Sequence, residues 1–157
     1  MGRILKRVSQ VAWGELSDSR GSARGIPPLL STMAWGSHDS ASLALDELSD
    51  RVCALGFVVS EATPHVVPFL TELAGEPAVP RRVEILELLA SIHSARQWEA
   101  TASTASGRDA QPYQEKVAWE AESRRAVSAG REVYQRLLDD PTPGVAEAAH
   151  RLVSAVE

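Results

Sequence analysis

Residues 63–89 read TPHVVPFLTELAGEPAVPRRVEILELL, and this stretch decides the fold. Thr63-Pro64 has the form of a helix start: a threonine oxygen can cap orphan backbone N–H groups, and a proline in the first turn surrenders a donor the helix does not use. Val66, Val67, Leu70, Leu73 and Ala74 follow at helical spacing as a buried stripe, and Pro68 comes early enough that its missing N–H costs little. Gly75 to Pro80 is a tight connection. A second helix then runs from Pro80 to about Ala95. Its stripe of Val83, Leu86, Leu89, Ala90 and His93 is widened by Ile85 and Ile92, so this helix needs neighbours on two sides. Two helices joined by a short turn are the unit from which the rest of the chain is read.

Upstream, Asp39 to Leu55 carries Ala41, Leu45, Leu48, Val52 and Leu55 at spacings of three and four, with Asp46, Glu47, Asp50 and Arg51 mostly opposite. That pattern predicts an amphipathic helix stopped by Gly56, followed by a turn or short extended piece at Phe57 to Ser60. Leu5 to Leu16 and Pro27 to Ala34 are helical candidates nearer the N-terminus. Downstream, Gln111 to Leu138 predicts a long helix with an interruption near Gly130. Thr142-Pro143 repeats the start signal of Thr63-Pro64 and opens a last helix, Pro143 to Val156, whose Val145, Ala148, Ala149, Leu152 and Val156 are in phase. Between the third and fourth of these blocks, Trp98 to Gln111 is small, polar and without period, which predicts a flexible loop.

Three helix pairs then line up as one unit repeated: Met33 pairs with Leu48, Leu73 with Leu89, and Leu137 with Leu152. Met33 and Leu73 are 40 residues apart, within the roughly 40–47 residues of HEAT and armadillo units. Leu73 and Leu137 are 64 apart, and the surplus of 24 is assigned to the 98–111 loop plus extra turns of the long helix. The expected architecture is all-α: a right-handed, HEAT-like α-solenoid of about three stacked antiparallel helix pairs behind a short N-terminal helix, making one domain of residues 1–157. In such a stack helices 39–55 and 80–95 are neighbours.

Composition narrows the function. The 157 residues include 16 Lys+Arg and 21 Asp+Glu, for a net charge of -5, with 44% hydrophobic and only 5% aromatic residues. Residues 1–25 are net +3, whereas residues 38–79 hold seven acids against Arg51, net -6. Phosphate neutralisation needs a surplus of Lys and Arg along a face, so nucleic acid is not the expected partner. An acidic segment attracts a basic one, although a solvated helix face explains most such runs. No stretch approaches the ~18 apolar residues of a membrane span, and Met1 to Arg7 has no apolar region behind its basic start. With the lone Cys53 unable to form an internal disulfide, a soluble cytoplasmic protein is expected.

Pro28-Leu29-Leu30, residues 63–74, residues 82–89 and Leu137-Leu138-Asp139-Asp140-Pro141 together resemble the small HEAT-like repeat proteins common in actinobacteria. The likeness covers most of residues 11–156 and implies the fold; that family offers no catalytic motif to carry over. One departure stands out. Second helices of HEAT units typically open with Val-Arg, whereas Val145-Ala146-Glu147 has no Arg to pair with an Asp of its own unit.

Residues that carry chemistry are sparse. Glu147-Ala148-Ala149-His150 has the Glu-x-x-His spacing of di-metal bundles, but those sites need a second such motif and two more Glu, so an exposed helix face is the better reading. His38, His65, His93 and His150 match no zinc pattern, and no nucleotide-binding or hydrolase motif appears. Cys53 reads as a small buried apolar residue, His65 as solvent-facing, and Trp13 and Trp119 as core. Glu84 with Glu87, and the pairs Arg81-Arg82 and Arg124-Arg125, read as solvated helix residues in local ion pairs. Trp35 and Trp98 lie beside turns, where a tryptophan either plugs a helix end or anchors a partner. The expected binding residues are Trp35, His38, His93, Trp98 and Tyr113, with no catalytic residue, metal or cofactor. The function expected is a non-enzymatic protein-interaction module, immunity-like or regulatory, binding a basic partner protein on its concave face or inserted loop. The alternative is a HEAT-like enzyme, acting as a DNA glycosylase or in small-molecule biosynthesis.

Overall fold

The computed structural model describes residues 4–104 and 111–157. Eight α-helices succeed one another among them: α1 Ile26–Trp35, α2 His38–Val52, α3 Thr63–Ala74, α4 Arg82–Ser94, α5 Gln97–Thr104, α6 Gln114–Ala129, α7 Arg131–Leu137 and α8 Val145–Val156. Strand is confined to two antiparallel two-residue pairings, β1 Ser17–Asp18 with β2 Gly21–Ser22 and β3 Cys53–Ala54 with β4 Val58–Val59. The chain is therefore all-α, as its helical periods predict. No helix is long and apolar enough to cross a membrane among the described residues.

Helix α1 packs on α2, α3 on α4, and α7 on α8, and the matched residues Met33, Leu48, Leu73, Leu89, Leu137 and Leu152 all lie in one buried core. Helix α4 sits at the centre, against α3, α6 and α8, which is why its apolar surface extends around the cylinder. The first turns of α2, α4 and α8 border one depression, lined by His38, Val83 and Val145. The far end of α2 lies beside the middle of α4, so these two helices run in the same direction.

The structure departs from several expectations. Leu5 to Leu16 is not a helix but two 3-10 turns, Val8–Gln10 and Trp13–Glu15. This segment is tied to α3 instead: the Leu5 N–H donates to Glu72 Oε1 at 2.9 Å, and the Trp13 ring packs on Phe69 with centroids 6.1 Å apart. The Trp13 indole N–H turns back to the Val8 carbonyl at 2.8 Å. Contacts to a neighbouring helix, rather than an internal ladder, fix its conformation.

The stretch expected as a loop over 98–111 begins as helix α5, and residues 105–110 lie outside the described residues. The sequence of α5 lacks a strong start of its own. Glu120 of α6, fully buried, supplies one: its carboxylate accepts the N–H groups of Trp98 at 2.8 Å and Glu99 at 2.9 Å, satisfying two of the four orphan donors at that end. Helix α5 packs on α6, and α6 packs on both α3 and α4. The surplus between the second and third pairs is thus largely a helical excursion.

Thr63 does not cap α3. Its hydroxyl donates to the Val52 carbonyl at 2.6 Å and accepts the Ser60 N–H at 2.8 Å, tying the end of α2 to the start of α3 across the β3–β4 hairpin. Helix α2 accordingly stops at Val52, and Leu55-Gly56 becomes the tip of that hairpin, with φ of 58° and 86°. Positive φ at both central residues, with the Phe57 N–H bonded to the Ala54 carbonyl at 3.1 Å, makes a type I′ turn.

Finally, α2 runs beside α4 without packing along it. Strand β3 is what touches α4, and a groove separates the two helices. The break expected near Gly130 is present between α6 and α7. There the Tyr134 hydroxyl donates to the Val127 carbonyl at 2.9 Å, and a Cβ on Gly130 would lie 2.6 Å from that hydroxyl. Only glycine leaves room for the tyrosine that fills the break.

Candidate functional site

The two seams flanking α4 differ in chemistry. On the α8 side, Arg82 in the first turn of α4 is 5% exposed and reaches the α7–α8 turn. Its guanidinium donates to both carboxylate oxygens of Asp140, at 3.0 and 3.3 Å, and to the Thr142 hydroxyl at 3.0 Å. A fourth donation, at 3.4 Å, meets the Ala74 carbonyl at the end of α3. Arg82 holds the Asp140 carboxyl below its ordinary value, helped by Thr142. The Arg that Val145-Ala146-Glu147 lacks is therefore contributed by the preceding helix pair.

On the α2 side the seam is open. Its groove is lined by Ser49, Asp50 and Cys53 at the end of α2, by the tip Leu55-Gly56, and by Glu84, Glu87, Leu88 and Ser91 along α4. Leu88 and Cys53 form an apolar floor, both buried; burial pushes the Cys53 thiol up to about 11, so it stays protonated and unreactive. The rim is acidic. Asp50 pairs with exposed Arg20 at 3.1 Å and Glu84 approaches Arg81 at 3.8 Å, while Glu87 has no ion pair among the described residues. Leu55 stands 83% exposed at the end of the groove. Leu43, 71% exposed, shares by helical spacing the α2 face of Asp46 and Asp50.

The five expected binding residues fall into two groups. Trp35, half exposed, ends α1, and His38 opens α2 at the depression where α2, α4 and α8 begin. His93, Trp98 and Tyr113 belong to the opposite end of α4 and the α5–α6 excursion. Trp98 is half-buried and committed: its indole N–H donates to the Val59 carbonyl at 2.8 Å and its ring stacks on Tyr113, centroids 6.3 Å apart. Lys116 Nζ already sits 4.3 Å above the same ring, which is the place a cationic guest would take. His93 is half-buried, and burial, with Arg96 and Arg124 nearby, pushes its imidazole below the ordinary value. Among the described residues, no ring or cation–π contact links the first group to the second.

No family model, curated protein or solved structure matches the chain. Among the described residues no group of three or more His, Cys, Asp or Glu is placed to hold a metal, and Glu147 and His150 are exposed on α8. Sequence reading missed Leu55 as a surface feature, assigning it to the buried stripe of α2. The available signal was the dipeptide Leu55-Gly56 ahead of Phe57-Val58-Val59, a two-residue turn before a β-prone run. Asp50, Glu84 and Glu87 were visible, but nothing in the sequence places α2 and α4 on either side of one groove.

Proposed function

We propose that the chain is a HEAT-like, non-enzymatic interaction module, regulatory or immunity-like and working in the cytoplasm, that binds a partner protein on the face formed by its second helices α2, α4 and α8. One observation carries this reading: α2 and α4 run side by side and leave an open, acid-rimmed groove, although the rest of α4 is closed against α3, α6 and α8. Solenoids present surfaces of this kind more readily than enclosed reaction pockets. The acidic rim favours a basic partner, with attraction that weakens as salt screens it. Trp98 and Tyr113 serve in this reading as packing for the α5–α6 excursion, and His38 as a border of the binding face.

The test is photo-crosslinking in the native cell from two positions, Ser91 in the groove and Gln135 on α7. The same single protein captured repeatedly from Ser91, absent from Gln135, and released from the uncrosslinked module by raised salt, is the expected result. Chaperones alone, or identical products from both positions, would defeat the reading.

A further inference from the structure

Resting on that reading, we infer that the α2–α4 groove receives one basic amphipathic helix of the partner, its apolar face on Cys53, Leu55 and Leu88 and its Lys or Arg residues against Asp50, Glu84 and Glu87. Three observations lead there. The first is the tip. Type I′ turns favour Asn-Gly, because both central residues need positive φ. Leucine at the first position is strained in this conformation and, when 83% exposed, gains nothing from burial. An apolar side chain kept at such a place beside a groove has the form of a contact completed by something else.

The second observation is charge. Helix α2 carries Asp39, Asp46, Glu47 and Asp50 against Arg51, and Arg51 is turned inward onto buried Asp18 at 2.9 Å. Across the groove, Glu87 lacks an ion pair among the described residues, and the pairs made by Asp50 and Glu84 are exposed ones that a guest cation can replace at little cost. A symmetric contact that set this rim against its own copy would bring acid onto acid. Charge thus selects a basic occupant over that self-association.

The third is backbone. The groove walls are helices, whose N–H and C=O groups are internally bonded, so an extended guest would find no ladder there and leave its own backbone groups unmet. The β3–β4 pairing is two residues long on each strand, too short to recruit another strand. A helix satisfies its own backbone and presents anchors at i, i+3 or i+4 and i+7. The 13 residues of α4 offer about 20 Å of wall at 1.5 Å per residue, room for three to four turns.

The probe is a synthetic, helix-forming 14-residue peptide with Leu at i, i+3 and i+7 and Lys flanking them. Its controls are a scrambled peptide of the same composition and one with Glu in place of every Lys. Binding to the full chain is followed by fluorescence anisotropy, circular dichroism and amide shifts. The patterned basic peptide should bind at least tenfold more tightly than either control, gain helicity, and shift the amides of Leu55 and Leu88. Glu87→Lys and Leu55→Asn should each weaken it about tenfold with no fall in melting temperature. Equal binding of the scrambled peptide, or insensitivity to both variants, overturns the inference; so does a dimer of the free protein that Leu55→Asn dissociates. A partner crosslinked at Ser91 through a segment that is not a basic helix overturns this inference alone, whereas loss of the Ser91 product removes the reading beneath it.

Discussion

Helix α4 has a second helix on either side, and the two seams are finished in opposite ways. Towards α8, a buried guanidinium is held bidentately by Asp140 and capped off by Thr142 and the Ala74 carbonyl. Towards α2, Asp50, Glu84 and Glu87 rim a gap over Leu88 and Cys53. A buried ion pair across one seam, against only exposed pairs with Arg20 and Arg81 at the rim of the other, shows where this molecule commits its charges to its own integrity and where it leaves them replaceable. A sealed seam responds to mutation through stability, and an open one through binding.

The largest effect belongs to the sealed seam. Arg82→Ala leaves Asp140 with no cation in a largely covered site, and removing one partner of a buried pair costs about 3–5 kcal/mol. Urea denaturation would measure it, and a loss no larger than that of a surface substitution would erase the contrast between the seams. Asp140→Asn keeps the shape and an acceptor oxygen but removes the charge, for an expected loss of about 1–3 kcal/mol on the hydrogen-bond scale.

Acid should act on the same seam. The folded carboxyl of Asp140 lies below its ordinary 3.8, so the unfolded chain takes up the proton first. The stability contributed is complete above 3.8 and disappears as pH falls through the lower folded value. Melting curves of wild type and Asp140→Asn should therefore differ at neutral pH and converge in strong acid; curves that stay apart would separate the seam's contribution from this carboxylate.

The open seam should give the small effects. Leu55→Asn relieves an L-residue in the left-handed region and is expected to raise stability by about 1 kcal/mol, the reverse of what a buried leucine would do. Glu87→Gln should change stability by no more than about 0.5 kcal/mol, as for other exposed sites without special contacts. A marked loss in either variant would mean the groove is packed structure rather than free surface.

These contrasts also mark what the sequence could reveal. Helix α3 is legible to within a residue, because Pro64 and the stripe from Val66 to Ala74 are local signals. The central role of α4 is legible from the width of its apolar surface, and the break at Gly130 from the glycine itself. Three features are set by distant groups and leave little local trace. Helix α5 starts on a carboxylate more than twenty positions downstream. The segment 5–16 follows contacts with Glu72 and Phe69 instead of its own period. Thr63 spends its hydroxyl on Val52, not on its own helix. The candidate site is less legible still: its acids can be listed from the sequence, but the groove between them exists only once α2 ends at Val52 and β3 takes its place against α4.

Glu120 has a consequence in time as well as in space. A helix of eight residues is too short to persist alone in water, where about 12–15 are needed for even marginal stability. Its first-turn amides are held by a side chain belonging to α6, so α5 depends on α6 for its start. In hydrogen exchange the amides of Trp98 and Glu99 should open together with α6 as one cooperative unit. The excursion between the second and third helix pairs would then be assembled backwards, its later helix giving shape to its earlier one.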